Sequence, residues 1–293
     1  MNGFRPGPVV VGVDGSQNGR PAADHAAWEA SRRRLPLRLV HGVDPPSPYY
    51  ATGPAGVEVP VQDRQAMLIA EMTRILGRYP EVETATQVIM GGPSAVLVEE
   101  SKMASMLVVG KRGAGGFADL PIGSVAAQVA AHAQAPVIII PPVVDERRAE
   151  VPNLGPVAIV VGIDGFIGST VALDFAFEEA EARGSDLVAI YTWGVIERRD
   201  PTTPAQERPL ADHVLDEALA GYDEQFPGVR IQRRIIHSPA PAYTLVDHNG
   251  DAALIVVGPP RAGLASPLIG SISDGLVRHS PVPVAVVHAY LDD

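Results

Sequence analysis

Two places in the chain carry residue types suited to holding an anionic ligand that also bears hydroxyl groups. One is Asp14, directly after a β-branched apolar run. The other is the segment Gly110-Lys111-Arg112-Gly113-Ala114-Gly115-Gly116-Phe117-Ala118-Asp119-Leu120-Pro121-Ile122-Gly123-Ser124. Glycines at 110, 113, 115 and 116 let the backbone approach a bulky anion, adopt positive φ and present several N–H groups to one point. Gly123-Ser124 then opens a helix, which adds free amides and a positive dipole end. The Ser124 hydroxyl has two readings, a donor to a phosphate oxygen or a plain N-cap. Asp14 also has two: an acceptor for ribose hydroxyls or adenine, or a turn-former in Asp-Gly-Ser.

Other chemistries find little support. The chain lacks the Gly-x4-Gly-Lys-Ser/Thr phosphate loop and the Gly-x-Ser-x-Gly elbow of serine hydrolases. Gly113-x-Gly115-x-x-Ala118 imitates a dinucleotide fingerprint but does not open a helix directly and lies far from the first strand. The eight histidines, His41 among them, show no metal-ligand spacing and read as core or surface residues. Cysteine is absent, which excludes disulfides, thiolate zinc sites and cysteine nucleophiles. A formal charge of −11 argues against indiscriminate nucleic-acid binding, which needs a basic face. The N-terminus offers no apolar signal core, and no run approaches the roughly 20 apolar residues of a membrane helix. The expected setting is therefore cytoplasmic, away from membranes.

The elements that must position Asp14 and the glycine segment occur twice. Val10-Val11-Gly12-Val13-Asp14-Gly15 returns as Val160-Val161-Gly162-Ile163-Asp164-Gly165, 150 residues on. Leu107-Val108-Val109-Gly110 returns as Ile255-Val256-Val257-Gly258 at an offset of 148, and Gly123-Ser124 as Gly270-Ser271 at 147. With 293 residues the chain is long enough for two domains. Within the first repeat, strands are predicted at 9–13, 37–43, 84–90, 106–109 and 137–140. Helical spacing falls at 22–30, 66–76, from Pro93, and at 125–133. Strand–helix alternation implies parallel pairing with right-handed crossovers, so each half is an α/β, doubly wound, open five-stranded sheet. The predicted domains are 1–142 and 157–293, with a proline- and charge-rich linker at 143–156. Segments 45–60 and 194–209 read as long loops. In such sheets ligands bind beyond the strand carboxyl ends where strand order reverses, and both candidate features lie at such ends.

Gly110-x2-Gly113-x9-Gly123-Ser124, preceded by Val-Val-Gly and paired with Val11-Gly12-Val13-Asp14-Gly15-Ser16, resembles the nucleotide signature of universal stress proteins. The whole chain resembles their tandem, two-domain mycobacterial and actinobacterial members. The resemblance implies an adenine nucleotide alpha hydrolase-like fold with strand order 3-2-1-4-5. It implies ATP, with or without Mg²⁺, held between strands one and four. At the first site the implied binding residues are Gly12, Val13, Asp14, Ser16 and Val40, then Gly110, Lys111, Arg112, Gly113, Ala114, Gly115, Gly116, Gly123, Ser124 and Val125. Asp14 would meet the adenosine part; Gly110, Gly113 and the following amides, with Ser124 and Val125, would hold the phosphates. At the second they are Gly162, Asp164, Gly258, Arg261, Ala262, Gly263, Gly270, Ser271 and Ile272. A homodimer through the fifth strands, 137–140 and 284–287, is also implied. So is a role in growth and survival under stress, with ATP a bound signal; the alternatives are a slow ATPase or nucleotidyl-transfer enzyme, and a nucleotide-free scaffold.

The second half departs from the pattern. Arg261 stands where the second signature glycine belongs, and the interval from Gly258 to Gly270 is one residue shorter than that from Gly110 to Gly123. Pro259 and Pro260 remove two amide donors, and Phe166 replaces Ser16. Arg261 has the fork to reach a phosphate bidentately. The first site is expected to bind more tightly.

Overall fold

The computed structural model describes residues 6–44, 61–114, 121–142, 157–165, 169–193, 204–247, 252–258 and 270–288, the side chains of 204–208 excepted. The chain divides into two compact units, residues 2–152 and 153–293. The expected linker 143–156 and the loop 45–60 lie outside the described residues.

In the first unit, strand β1 (Val9–Gly12) is a run of three valines buried on both faces, as a central parallel strand must be. Helix α1 (Arg20–Arg33) follows it, with a proline in its first turn and Arg34 in the left-handed region (φ 55°) closing its end. Ala22, Ala23, Ala26, Ala27 and Ala30 form its buried stripe, and their small side chains let α1 lie against β1 and β4. Strands β2 (Leu37–Val43), β3 (Thr84–Met90), β4 (Met106–Gly110) and β5 (Val137–Ile140) complete the sheet. All neighbours pair in parallel, in the order β3-β2-β1-β4-β5. Helix α2 (Val61–Leu76) packs with α1 and the outer strands. Helices α3 (Pro93–Glu100) and α4 (Ser124–His132) pack on each other.

The second unit repeats the plan: β6 (Ile159–Ile163), α5 (Ser169–Arg183), β7 (Leu187–Trp193), α6 (Pro204–Ala218), α7 (Tyr222–Gln225), β8 (Ile231–His237), α8 (Pro241–Asp247), β9 (Leu254–Val257), α9 (Ser271–His279) and β10 (Val284–Val286). Its parallel order is β8-β7-β6-β9-β10. Both halves are thus open, doubly wound α/β sheets with the order anticipated. Strand order reverses between β1 and β4, and again between β6 and β9, which leaves a crevice at their carboxyl ends.

Element ends differ from expectation in a few places. β1 stops at Gly12, although the Val13 amide still donates to the Val40 carbonyl (2.9 Å). α2 begins at Val61 rather than Ala66, and α6 begins at Pro204, inside the segment read as a loop, with Pro209 in its interior. A proline at the first helical position suits the helix start; the second proline misled the reading by suggesting a break. The short helix α7 was not anticipated. It presents Tyr222 and Phe226 to stack against Phe177 of α5 at 4.4 and 5.2 Å.

Candidate functional site

The first crevice is built outward from the turn that ends β1. Gly15 sits at φ +79°, a conformation that favours glycine and turns the chain sharply after Asp14. Ser16 folds back so that its amide (2.9 Å) and hydroxyl (2.7 Å) both donate to Asp14 Oδ1. The same hydroxyl accepts from the Gly19 amide (3.0 Å), capping the short 3-10 turn that leads into α1. One carboxylate oxygen is thereby fixed. The other, Oδ2, accepts from the Ala114 amide at 2.6 Å, so Asp14 bridges from the end of β1 to the loop after β4.

That loop is closed at its base by two backbone bonds, from the Lys111 amide to Ile140 O (2.7 Å) and from the Gly123 amide to Lys111 O (2.9 Å). Gly113 is required for space rather than for handedness. Its φ lies outside the left-handed region, but a Cβ there would fall 2.3 Å from Asp14 Oδ2. Positive φ was the expectation for the loop glycines; of the two that are described, Gly110 and Gly113, neither adopts it. Gly123 is the N-cap of α4 and Ser124 its first helical residue, with no side-chain cap bond. The N-cap reading of Ser124 is therefore set aside, and its exposed hydroxyl lines the crevice. No acidic residue occupies the first turn of α4, so its positive end is not neutralised.

The opposite wall is apolar. Gly12 faces Leu97, where a Cβ would lie 2.7 Å from Leu97 Cδ1. At Gly42 a Cβ would lie 2.7 Å from the Pro93 Cα, so this glycine lets α3 start close against the end of β2. His41 Nδ1 is 2.6 Å from Val13 O. A carbonyl only accepts, so Nδ1 carries a proton and donates. Burial, and then the neighbouring Arg112 charge, hold the Lys111 amine below its ordinary value.

These walls enclose a cavity of about 310 Å³, at the lower end of the ~300–1,000 Å³ typical of small-molecule sites. Gly12, Val13, Asp14, Val40, Gly110, Arg112, Gly113, Ala114, Gly123, Ser124 and Val125 all reach it. Ser16 and Lys111 do not line it: Ser16 orients Asp14 from behind, and the Lys111 carbonyl closes the loop. Gly115 and Gly116 lie outside the described residues. Sequence reasoning missed Gly19, His41, Gly42, Pro93, Leu97, Val109 and Ala126. His41 had been read as an ordinary core or surface histidine. Its position one residue past Val40, at the carboxyl end of β2, was the available signal.

A family model described as the universal stress protein family matches residues 7–141 and again residues 158–288. The chain belongs to the universal stress protein family. It is 33% identical over 289 residues to a universal stress protein of Mycolicibacterium smegmatis, covering 95% of this chain and 96% of that one. A Mycobacterium tuberculosis universal stress protein is 33% identical over 298 residues, covering 97% of each. Among solved structures, a universal stress protein from Archaeoglobus fulgidus superposes with a TM-score of 0.68 at 17% identity over 99% of both chains, which supports the fold. The architecture is the adenine nucleotide alpha hydrolase-like fold, present as two tandem universal stress protein domains.

The second universal stress protein domain keeps part of this geometry. Gly162 faces Leu245 of α8 as Gly12 faces Leu97, with a Cβ contact of 3.0 Å, and Gly165 repeats the left-handed turn at φ +77°. Asp164 follows β6, Gly258 follows β9, Gly270 caps α9, and Ser271 and Ile272 are its first two residues. Arg261, Ala262 and Gly263 lie outside the described residues. The first turn of α9 carries Asp274, whose Oδ2 accepts from Arg278 Nε at 2.7 Å. Even with its charge paired to Arg278, an acid there leaves the start of α9 less favourable to an incoming anion than the acid-free start of α4. Among the described residues no group of three or more His, Asp or Glu could hold a metal ion, and no helix is long and apolar enough to cross a membrane.

Proposed function

We propose that the chain is an ATP-binding universal stress protein that regulates growth or survival under stress, with the first domain as its tighter site. The observation that carries this reading is the convergence on one cavity of the Asp14 carboxylate, the Gly110–Ala114 backbone and the acid-free start of α4. The apolar wall of Gly12, Val40 and Leu97 suits a flat base. The helix start and the loop amides suit phosphate, and the carboxylate suits ribose hydroxyls. Mg²⁺ would enter on the nucleotide, because this ion keeps most of its ligands as phosphate and water.

Absorbance and mass spectrometry of the purified chain test the reading, followed by calorimetric titration with ATP, ADP and AMP. Co-purified adenine nucleotide, or a titratable site preferring ATP, is the expected result. Absence of both would leave a nucleotide-free scaffold. A regulatory role also requires that bound ATP persist. Hydrolysis at about 1 s⁻¹, the lower limit for typical kinases, would turn the assignment to an enzyme. The proposal includes action in the cytoplasm and a homodimer. Sedimentation at micromolar concentration should give twice the mass of the chain, and a monomer would remove the dimer.

A further inference from the structure

The second domain lacks the hydroxyl that steadies the strand-end aspartate in the first, because Phe166 stands where the first domain has Ser16. A hydroxyl from another position takes its place. Ser169, the first residue of α5 and buried to 6% exposure, places Oγ 2.5 Å from Asp164 Oδ1 and donates to it. Its lone pair accepts from the Asp164 amide at 3.3 Å. At the constant offset of 150 residues Ser169 corresponds to Gly19. In the first domain a Cβ on Gly19 would lie 3.0 Å from Asp14 Oδ1 and 3.4 Å from Ser16 Oγ. Position 19 is therefore already beside the oxygen that Ser16 holds. The two domains carry the same clamp with its parts exchanged: hydroxyl at 16 and none at 19, or none at 166 and hydroxyl at 169.

We infer that Ser169 is the positioning residue of the second site, and that this domain keeps the nucleoside-binding end of the site while its phosphate end is weakened. The inference rests on the nucleotide reading proposed above. A random loss of Ser16 chemistry would leave Asp164 without a hydroxyl donor; instead a buried serine orients it through a hydrogen bond to a charged group, among the stronger kinds. The loss falls elsewhere. Asp274 sits in the first turn of α9, where α4 has no acid. The ligand class that fits is an adenine nucleoside or its monophosphate, in preference to a triphosphate.

The test is calorimetry on the full chain with adenosine, AMP and ATP, with circular dichroism confirming folding of each variant. Two binding transitions are expected, one preferring ATP and one preferring the less charged ligands. Ser169→Ala should weaken only the second, by about tenfold, the equivalent of one charged hydrogen bond at its lower limit of about 1.5 kcal/mol. Adding Phe166→Ser should restore most of it by recreating the first domain's arrangement. In the mirror experiment, Ser16→Ala should weaken the first transition and Gly19→Ser should recover it. Rescue by a hydroxyl at the alternative position is an outcome that a purely structural serine would not produce. If Ser169→Ala leaves the second transition unchanged while Asp164→Asn abolishes it, the positioning role is overturned and the nucleotide reading stands. A single transition, or a second one that prefers ATP as strongly as the first, overturns the assignment of ligand class. No transition with any of the three ligands overturns the nucleotide reading itself.

Discussion

Gly113→Ala tests the first site most directly, because one added methyl meets one identified atom. The new Cβ would lie 2.3 Å from Asp14 Oδ2 and 3.4 Å from Asp14 Cγ. Ordinary contact needs about 1 Å more than the shorter of these, so the carboxylate or the loop must give way. The carboxylate has little freedom, since Ser16 holds Oδ1 with two bonds of 2.9 and 2.7 Å. The loop therefore moves, and the 2.6 Å bond from the Ala114 amide is lost. A hydrogen bond to a charged group contributes about 1.5–3 kcal/mol. This one is exposed to solvent, so the lower part of that range applies, about 1.5–2 kcal/mol, and it is lost from the stability of the domain. The displaced loop no longer aims its amides into the cavity, so ATP affinity should fall by roughly tenfold, the equivalent of one hydrogen bond to a charged group. Titration calorimetry reads the affinity, and thermal melting should show a folded domain whose midpoint falls by roughly 4–8 °C. The decisive control is the double-mutant cycle with Asp14→Ala, in which the clash disappears and the coupling should exceed about 1 kcal/mol. An affinity within a factor of about two of wild type, in a folded Gly113→Ala protein, would refute the account.

Three further outcomes follow from other parts of the molecule. Leu97→Ala removes a nearly fully buried side chain (3% exposed) that packs over Gly12; urea denaturation should show a loss of about 2–5 kcal/mol, and a loss below about 1 kcal/mol would mean that α3 is not seated there. Asp274→Ser removes the acid from the first turn of α9, so AMP affinity at the second site should rise by about 0.3–1 kcal/mol, roughly two- to fivefold, and the gain should shrink with added salt. Lys111 is held below 10.5 in the folded protein, first by burial and then by Arg112. Between its folded value and 10.5 the unfolded chain binds more protons, so its contribution to stability rises with pH through that interval. Melting of Lys111→Met against wild type should show this increment only in wild type, and parallel pH profiles would contradict it.

The fold was legible because its signals are local and repeated. Val9–Val11 and Val137–Ile140 are apolar runs with no room for alternation, and the alanine spacing of α1 admits no other element. Parallel pairing followed from strand–helix alternation and crossover handedness, whereas the strand order came only with the family resemblance, because handedness leaves several orders open. Asp14 and the Gly110–Ala114 loop were found because they sit directly after recognisable strands. His41, Gly42, Pro93 and Leu97 were missed because each is ordinary in its own neighbourhood and becomes a wall only when β2 and α3 meet. The role of Gly113 was misjudged for a similar reason. A glycine in a loop suggests unusual backbone angles, whereas its need here comes from a carboxylate 99 residues earlier in the chain. The clamp in the second domain was illegible because the substitution at 166 is visible by alignment to Ser16, while its replacement at 169 looks like a helix-starting serine.

The bridge from Asp14 to Ala114 bears on how this site would take a nucleotide. The amide of Ala114, which lines the cavity, already donates to a carboxylate at 2.6 Å. A ligand that uses that amide must displace an interaction of the same kind, so the net gain is a difference between two charged hydrogen bonds and not the whole of one. The displaced carboxylate is not stranded, because Ser16 keeps Oδ1 in place and, on the proposed reading, Oδ2 would accept from ribose hydroxyls. Exchange of this type would let Gly113 and Ala114 keep a hydrogen-bonded place without ligand and still release one. On the proposed reading, such an exchange would favour readily reversible occupancy, the property a nucleotide-reporting protein needs, and a slow off-rate for ATP measured by stopped-flow would count against it.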